Sequence, residues 1–327
     1  MQPTAFIQRF VYRPEFGPFV LLVAQLIIFA SFSSAFLSQG NISNILAFTP
    51  ELGMIALGMT MLMTSGEFDL SVGSVFGFTL VLMWTFFNTG FSSLEVGFLL
   101  AMAVAVLIGF TSGWMVTQLK IPSFLVTLGM LLVVRGSALY ITAGFPQRTW
   151  TTDSPFMDII AGSFHIGSFR VYASLIWFIV FALILGYVLT QSKYGNWILA
   201  SGGNTSSAIA RGVRVARTKI MLFILTAVMA GYAGVTSSIR VAAANPNSGT
   251  TYELEVIAMV VIGGTALTGG RGTIIGTILG VLILRTMRNG IVLIGVPGLA
   301  YNIFIGAIIL IMMALHSWLE RRHRAGV

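Results

Sequence analysis

Apolar residues fill this chain in long blocks, separated by short clusters of Gly, Pro, Ser, Asn and charged residues. Ten such blocks stand out, at about 18–37, 44–64, 71–87, 94–117, 122–142, 172–190, 219–240, 252–268, 273–294 and 298–317. A hydrocarbon core about 30 Å thick is crossed by roughly 20 apolar residues in a helix. The pattern therefore predicts an all-α polytopic membrane protein of about ten transmembrane helices. The blocks 71–87 and 252–268 are short, as suits spans whose ends are covered by neighbouring protein. No small-residue cleavage site follows the first block, so it is expected to be a retained span and not a removable signal peptide.

Composition agrees with lipid as the solvent. Hydrophobic residues make up 56% of the chain and charged residues 9%, with a mean hydropathy of +0.92, where a soluble domain carries about 25% charge. A net charge of +8 would suggest nucleic acid in a soluble protein, but here its distribution explains it. With the N-terminus inside, twelve basic residues fall on internal segments: Arg9, Arg13, Lys120, Lys193, Arg211, Arg214, Arg217, Lys219, Arg271, Arg321, Arg322 and Arg324. Only two, Arg148 and Arg170, fall on external ones. Lys and Arg are retained on the cytoplasmic side, so both termini are expected there, and no nucleic-acid partner is implied. The chain reads as one transmembrane domain over 1–327, with a cytoplasmic N-terminal segment at 1–17 and a basic tail at 318–327.

Candidate chemistry is sparse. The chain has no cysteine, and its three histidines lie far apart, so neither a metal nor a cofactor is expected. The glycine-rich "GGTALTGGRGT" has no lysine to reach a phosphate and joins two spans, so it is not a nucleotide loop. No nucleophile–base or zinc-helix pattern appears, and the chain is not expected to be an enzyme. Charges and amides inside apolar blocks remain, and these are functional candidates by default. Arg285 and Arg288 share one face of the ninth span and line an external vestibule or snorkel. Glu253 and Glu255 open the eighth span, where pairing with those arginines across the two helices is plausible. Asn245, Asn247 and Asn289 can hydrogen-bond a polar solute, and Arg135 requires a partner or a wet cavity. Glu67 and Asp69 stand at the internal turn before the third span. There Asp69, with Ser71, can cap free amides at the positive helix end, contact a gate, or carry a coupling ion.

Two loops are long. Residues 143–171 face outside and read as a packed surface loop or short helix. Residues 191–218 face inside, with four basic residues and no acidic one. Small-residue pairs such as Gly231 and Gly234, or Gly276 and Gly280, predict close helix packing. The partial echo between "VGSVFG" (72–77) and "RGTIIG" (271–276) hints at an internal duplication.

Four stretches resemble a known family. "GEFDLSVGS" (66–74), "KIPSFLVTLGMLLVVRG" (120–136), "YGNWILASGGNTSSAIARGV" (194–213) and "AMVVIGGTALTGGRGTIIGTILG" (258–280) occur in the order found in permeases of bacterial ATP-binding-cassette importers for ribose, xylose and arabinose, relatives of branched-chain amino acid permeases. The resemblance covers about residues 50–315. It implies a vitamin-B12-importer-like fold in the bacterial inner membrane and a second permease copy or paralogue. It also implies a cytoplasmic ATPase, a periplasmic sugar-binding protein, and a monosaccharide or polyol as cargo. The loop 191–218 becomes the element that docks the ATPase, carried by Gly195, Gly203, Asn204, Thr205, Ala208 and Gly212. Similar permeases read Gly-Asn-Glu-Ala-Ala where Gly203, Asn204, Thr205, Ser206 and Ser207 stand here, so the carboxylate that a salt bridge from that position would need is absent. Pathway or gate candidates are Glu67, Asp69, Ser71, Asn245, Glu253, Arg288 and Asn289. The alternatives are an ion-coupled carrier using Glu67 and Asp69, or the same machinery with amino acids or nucleosides as cargo.

Overall fold

The computed structural model describes residues 14–149, 154–167, 169–307 and 310. Most of the segment 1–17, the tail 318–327 and much of the tenth apolar block lie outside the described residues. In chain order the elements are α1 (Phe16–Phe32), α2 (Gln39–Thr64), α3 (Val72–Asn88), α4 (Leu94–Gln118), α5 (Ser123–Thr142), a short α6 (Pro155–Ala161), β1 (Ser163–Ile166) and β2 (Phe169–Tyr172). There follow α7 (Ala173–Gln191), α8 (Lys193–Gly203), α9 (Thr205–Ala210), α10 (Val215–Val241), α11 (Tyr252–Ile262) and α12 (Ile274–Leu293), with helix again over 301–307.

Six of these helices are long and apolar enough to cross a membrane: α2, α4, α5, α7, α10 and α12. The α1 and α3 helices are apolar but have 17 residues each. The polytopic helical architecture stands, and the count of ten spans is not reproduced. The clearest departure is the block 252–268. Its helix covers only Tyr252–Ile262, 11 residues, or about 17 Å at 1.5 Å per residue. It stops because Gly263 and Gly264 follow: Gly264 sits at φ +93, and the amides of Gly264 and Thr265 turn back onto the carbonyls of Val261 and Val260, a left-handed termination that glycine accommodates without strain. Turns then run to Thr273, whose side chain accepts from the Gly276 amide and starts α12. The external loop departs too. It holds the expected short helix, α6, and also an antiparallel hairpin in which Ser163 faces Tyr172 and Ile166 faces Phe169.

The hydrophobic pattern decides which helices are central. Every residue of α2 from Thr49 to Thr64 is buried, because this stretch is apolar or small on all sides and has no face to give to water. It packs against α7, α10, α11 and α12, and α10 in turn packs on α3 and α4. In α4, α5 and α7 a third or less of the apolar window is buried, against 83% in α2, so these three present their apolar faces to lipid. Small residues set the approach: a Cβ on Gly234 would run into the Phe76 carbonyl, and one on Gly280 into that of Met259. Polar pairs in the core are closed locally, as in the Trp84 indole N–H donating to Ser238 Oγ at 2.9 Å.

The connections sort to the two ends as the charge asymmetry expects. The turn 65–71, the α8–α9 segment and the linker 263–273 meet at one end. At the other, the Gln147 amide donates to the Ala244 carbonyl at 2.8 Å, tying the 143–172 loop to the 242–251 loop.

Candidate functional site

The end of the bundle that carries the 242–251 loop, the one the charge asymmetry expects to be external, holds a cavity of about 470 Å³ lined by α2, α3, α10, α11, α12 and that loop. Two successive turns of α2 give it Asn44, Ile45, Phe48 and Glu51. Pro50 lies inside this helix, and without an amide N–H it leaves the Leu46 carbonyl out of the helical ladder. Glu51 is fully enclosed and is neutralised across the cavity by Arg240, whose Nε donates to Oε1 at 2.8 Å and whose Nη2 lies 2.5 Å from the same oxygen. The Arg240 guanidinium also stacks 4.0 Å over the Phe48 ring. This is how a carboxylate and a guanidinium coexist at depth: each supplies the other's counter-charge, and removal of either leaves a bare ion.

Arg285 and Arg288 reach the cavity from α12. Arg288 sits 3.9 Å from Glu255 and 4.9 Å over the Tyr301 ring, while the Tyr301 hydroxyl donates to Glu255 Oε2 at 3.4 Å. The expected pairing of the eighth and ninth spans is therefore present and made by Glu255. Glu253 lies instead beside Gly73, at the place its Cβ would occupy, in the field of Arg135. Arg135 finds its partners in backbone: it donates to the carbonyls of Pro246 at 2.6 Å, Ser248 at 2.9 Å and Gly73 at 3.0 Å. Asn289 lines the cavity, but its amide is tied to Asn41 by reciprocal bonds of 2.7 and 2.9 Å. Asn245 uses its carbonyl oxygen to accept from the Asn247 amide at 2.9 Å and does not line the cavity.

Glu67, Asp69 and Ser71 lie at the other end, away from the cavity. Asp69 Oδ1 accepts from the Ser71 amide at 2.7 Å and from its hydroxyl at 2.6 Å, closing the turn before α3, while Ser71 makes no side-chain cap to the helix. Burial pushes the Asp69 carboxyl up to about 6, and the bonds from Ser71 pull against that rise. Glu67 is held by Lys219, with Nζ 2.6 Å from Oε1, which staples the turn to the start of α10.

The α8–α9 segment locks onto the same turn through backbone. Gly202 packs where any Cβ would strike the Thr64 carbonyl and sit 2.6 Å from the Gly270 nitrogen, and the Gly270 amide donates to the Thr64 carbonyl at 2.8 Å. A Cβ on Gly270, at φ +77, would lie 2.7 Å from Gly203 Cα. Gly195 presses on the Leu189 carbonyl. Asn204 separates the two helices and caps α9, accepting from the Ser207 amide at 2.9 Å. Thr205 is exposed, Ala208 is buried at 2% exposure, and Gly212 turns the chain at φ +82. Three inner connections are thus fastened together at a glycine junction.

Sequence reasoning passed over Glu51, although an acid beside a proline inside a span-length apolar block was visible. Nothing local in the chain marks Arg240 as its partner, because the two lie 189 positions apart.

Apolar helices thus surround a charge-paired polar cavity, with a basic segment fastened to the opposite end, an arrangement suited to a polytopic membrane protein that passes a polar solute. The chain belongs to the family described as branched-chain amino acid transport system / permease component, whose model matches residues 41–313. It is 33% identical over 301 residues to the ribose import permease of Bacillus subtilis, covering 92% of each chain. To the ribose import permease of Escherichia coli K12 it is 34% identical, over 90% of this chain and 91% of that one. To the L-arabinose permease of Azospirillum brasilense it is 32% identical, over 93% and 89%. No solved structure matches the chain.

Proposed function

We propose that this chain is the membrane permease subunit of a binding-protein-dependent ATP-binding-cassette importer that carries a monosaccharide or related polyol across a bacterial inner membrane. The observation that carries the reading is its similarity, over nine-tenths of both chains, to permeases named for ribose and arabinose import. The geometry supports it: a polar cavity opens at the end expected to be external, and backbone contact closes the opposite end, as an outward-facing state of alternating access requires. Work is supplied by a separate cytoplasmic ATPase, and solute by a periplasmic binding protein. The permease pairs with a second copy or a paralogue in a ten-helix, vitamin-B12-importer-like arrangement, one permease domain per chain. The α8–α9 segment seats on the ATPase through its exposed face, with Thr205 outward and Ala208 packed inward.

Reconstitution with the ATPase and the binding protein tests this. Uptake of labelled sugar is expected to require ATP and to persist when ionophores collapse the proton and sodium gradients. ATP-independent, ionophore-sensitive uptake would give the protein to the ion-coupled class instead. For the docking segment, a cysteine at Thr205 is expected to cross-link to a cysteine in the ATPase cleft in a nucleotide-dependent way. Gly212→Trp, forced into a left-handed backbone, is expected to impair stimulated ATP hydrolysis while insertion is retained.

A further inference from the structure

The cavity has a charge and a set of donors that its own pairings do not use. Three guanidinium groups line it, and two carboxylates, Glu51 and Glu255, answer them. Arg240 is closed on Glu51, and Arg288 faces Glu255. Arg285 is left between them. It is 7% exposed, and its Nε has no hydrogen-bond partner. Among the described residues no carboxylate stands within ion-pair distance of it, although its field reaches both Glu51 and Glu255. A buried guanidinium normally satisfies its donors, because a desolvated N–H without an acceptor costs more than an ordinary hydrogen bond returns.

We propose that Arg285 is the ligand-contacting residue of this cavity, donating its unpaired N–H groups to the hydroxyl oxygens of a sugar held there between the binding protein and the cytoplasm. The inference rests on the import reading above and adds to it a site and a residue. The surroundings suit a polyhydroxylated solute. Glu51 can accept from sugar hydroxyls with the oxygen Arg240 leaves free, and Phe76 and Tyr252 give the ring apolar faces to lie on. The volume of about 470 Å³ is at the small end of ligand pockets, which run from about 300 to 1,000 Å³. Asn289 is tied up by its bonds to Asn41, so Arg285 is the cavity donor left for the sugar, beside the acceptor on Glu51 and the faces of Phe76 and Tyr252. A site a transporter must also empty is served by so few contacts.

Uptake kinetics alone would report the affinity of the binding protein, so the test reads the cavity directly. The chain has no cysteine, and Ser248 lines the cavity. In the reconstituted complex, Ser248→Cys is expected to react with an impermeant methanethiosulfonate from the external side, and saturating ribose, xylose or arabinose is expected to slow that reaction. Adding Arg285→Gln or Arg285→Lys is expected to raise the half-protecting sugar concentration about tenfold, the scale of one lost charge-assisted hydrogen bond. Arg285→Lys keeps the counter-charge for Glu51 and Glu255, so it guards against a variant that merely fails to assemble, and protection in the Ser248→Cys chain alone is decisive in its own right. Equal protection with and without Arg285 overturns the assignment. So does a Ser248→Cys rate that none of the three sugars alters while ATP-driven uptake of one of them proceeds, and that result leaves the import reading standing. Absence of ATP-driven uptake by the unaltered complex fails that reading separately.

Discussion

The two ends of the bundle solve opposite problems. At the external end, side chains keep helices apart: Glu51, Arg240, Arg285 and Arg288 surround open space, and charge pairing makes that space tolerable at depth. At the internal end, side chains have been removed. Gly202, Gly203, Gly269 and Gly270 let three backbones touch, and the main polar contact between elements, Glu67 with Lys219, lies at the junction's margin. On the proposed import reading, one end admits a solute. On the same reading the other transmits displacement, because backbone in contact with backbone has no rotamer freedom with which to absorb motion.

The contrast can be broken most severely at the cavity. Glu51→Gln or Arg240→Ala alone leaves a buried ion without its counter-charge and is expected to cost about 3–5 kcal/mol, whereas the double substitution to Gln and Met is expected to cost much less. Thermal melting of the purified protein measures both, and additive losses would mean the pair is not the unit it looks. At the junction, Gly202→Val pushes a side chain into the Thr64 carbonyl and is expected to cost about 3 kcal/mol and to uncouple ATP hydrolysis from uptake. The same change at Gly17, where a Cβ would meet nothing, is expected to be silent.

Asp69 gives a pH test of the closed end. Its carboxyl is raised from 3.8 to about 6 by burial, so the neutral form is the one the fold favours. Its stabilising contribution is complete below pH about 3.8 and is lost as pH rises through about 6. Asp69→Asn keeps an acceptor for the Ser71 amide and has no charge to bury. Melting is therefore expected to be near wild type at pH 4 and more stable by up to about 3 kcal/mol at pH 8; a pH-independent difference would exclude a buried, titrating Asp69. The smallest effect belongs to Lys219→Ala, expected to cost about 1 kcal/mol, since its ion pair with Glu67 is only partly withdrawn from water. Single cysteines sharpen which end is which: His165→Cys in the exposed hairpin is expected to label from outside intact cells, and Ser206→Cys only from inside.

The existence and order of the long apolar helices were legible in the chain, because a bilayer imposes a length and a polarity that local composition reports directly. The α8–α9 segment and the Asp69–Ser71 turn were legible as well, since both are made by residues close in sequence. The eighth span was misjudged. Hydropathy counts Gly263–Gly264 and the residues after them as membrane, while backbone geometry ends the helix at Ile262. Nor did the sequence show where Asn245 and Glu253 would lie: the Asn245 carbonyl oxygen accepts from the Asn247 amide, and Glu253 packs beside Gly73 in the field of Arg135.

By itself the sequence determined that this is a helical membrane protein and which of its loops is strongly basic, for the first follows from the solvent that a segment of about 20 residues must meet and the second from composition alone. Only the tertiary structure decided which charges meet. Glu51 joins Arg240 across 189 positions, Arg135 joins the carbonyls of a loop 111 and 113 positions away, and Arg285 is left with donors to spare. Pairing of ions depends on a few ångströms of separation, and that separation is set by how glycine-spaced helices pack and not by any pattern along one of them.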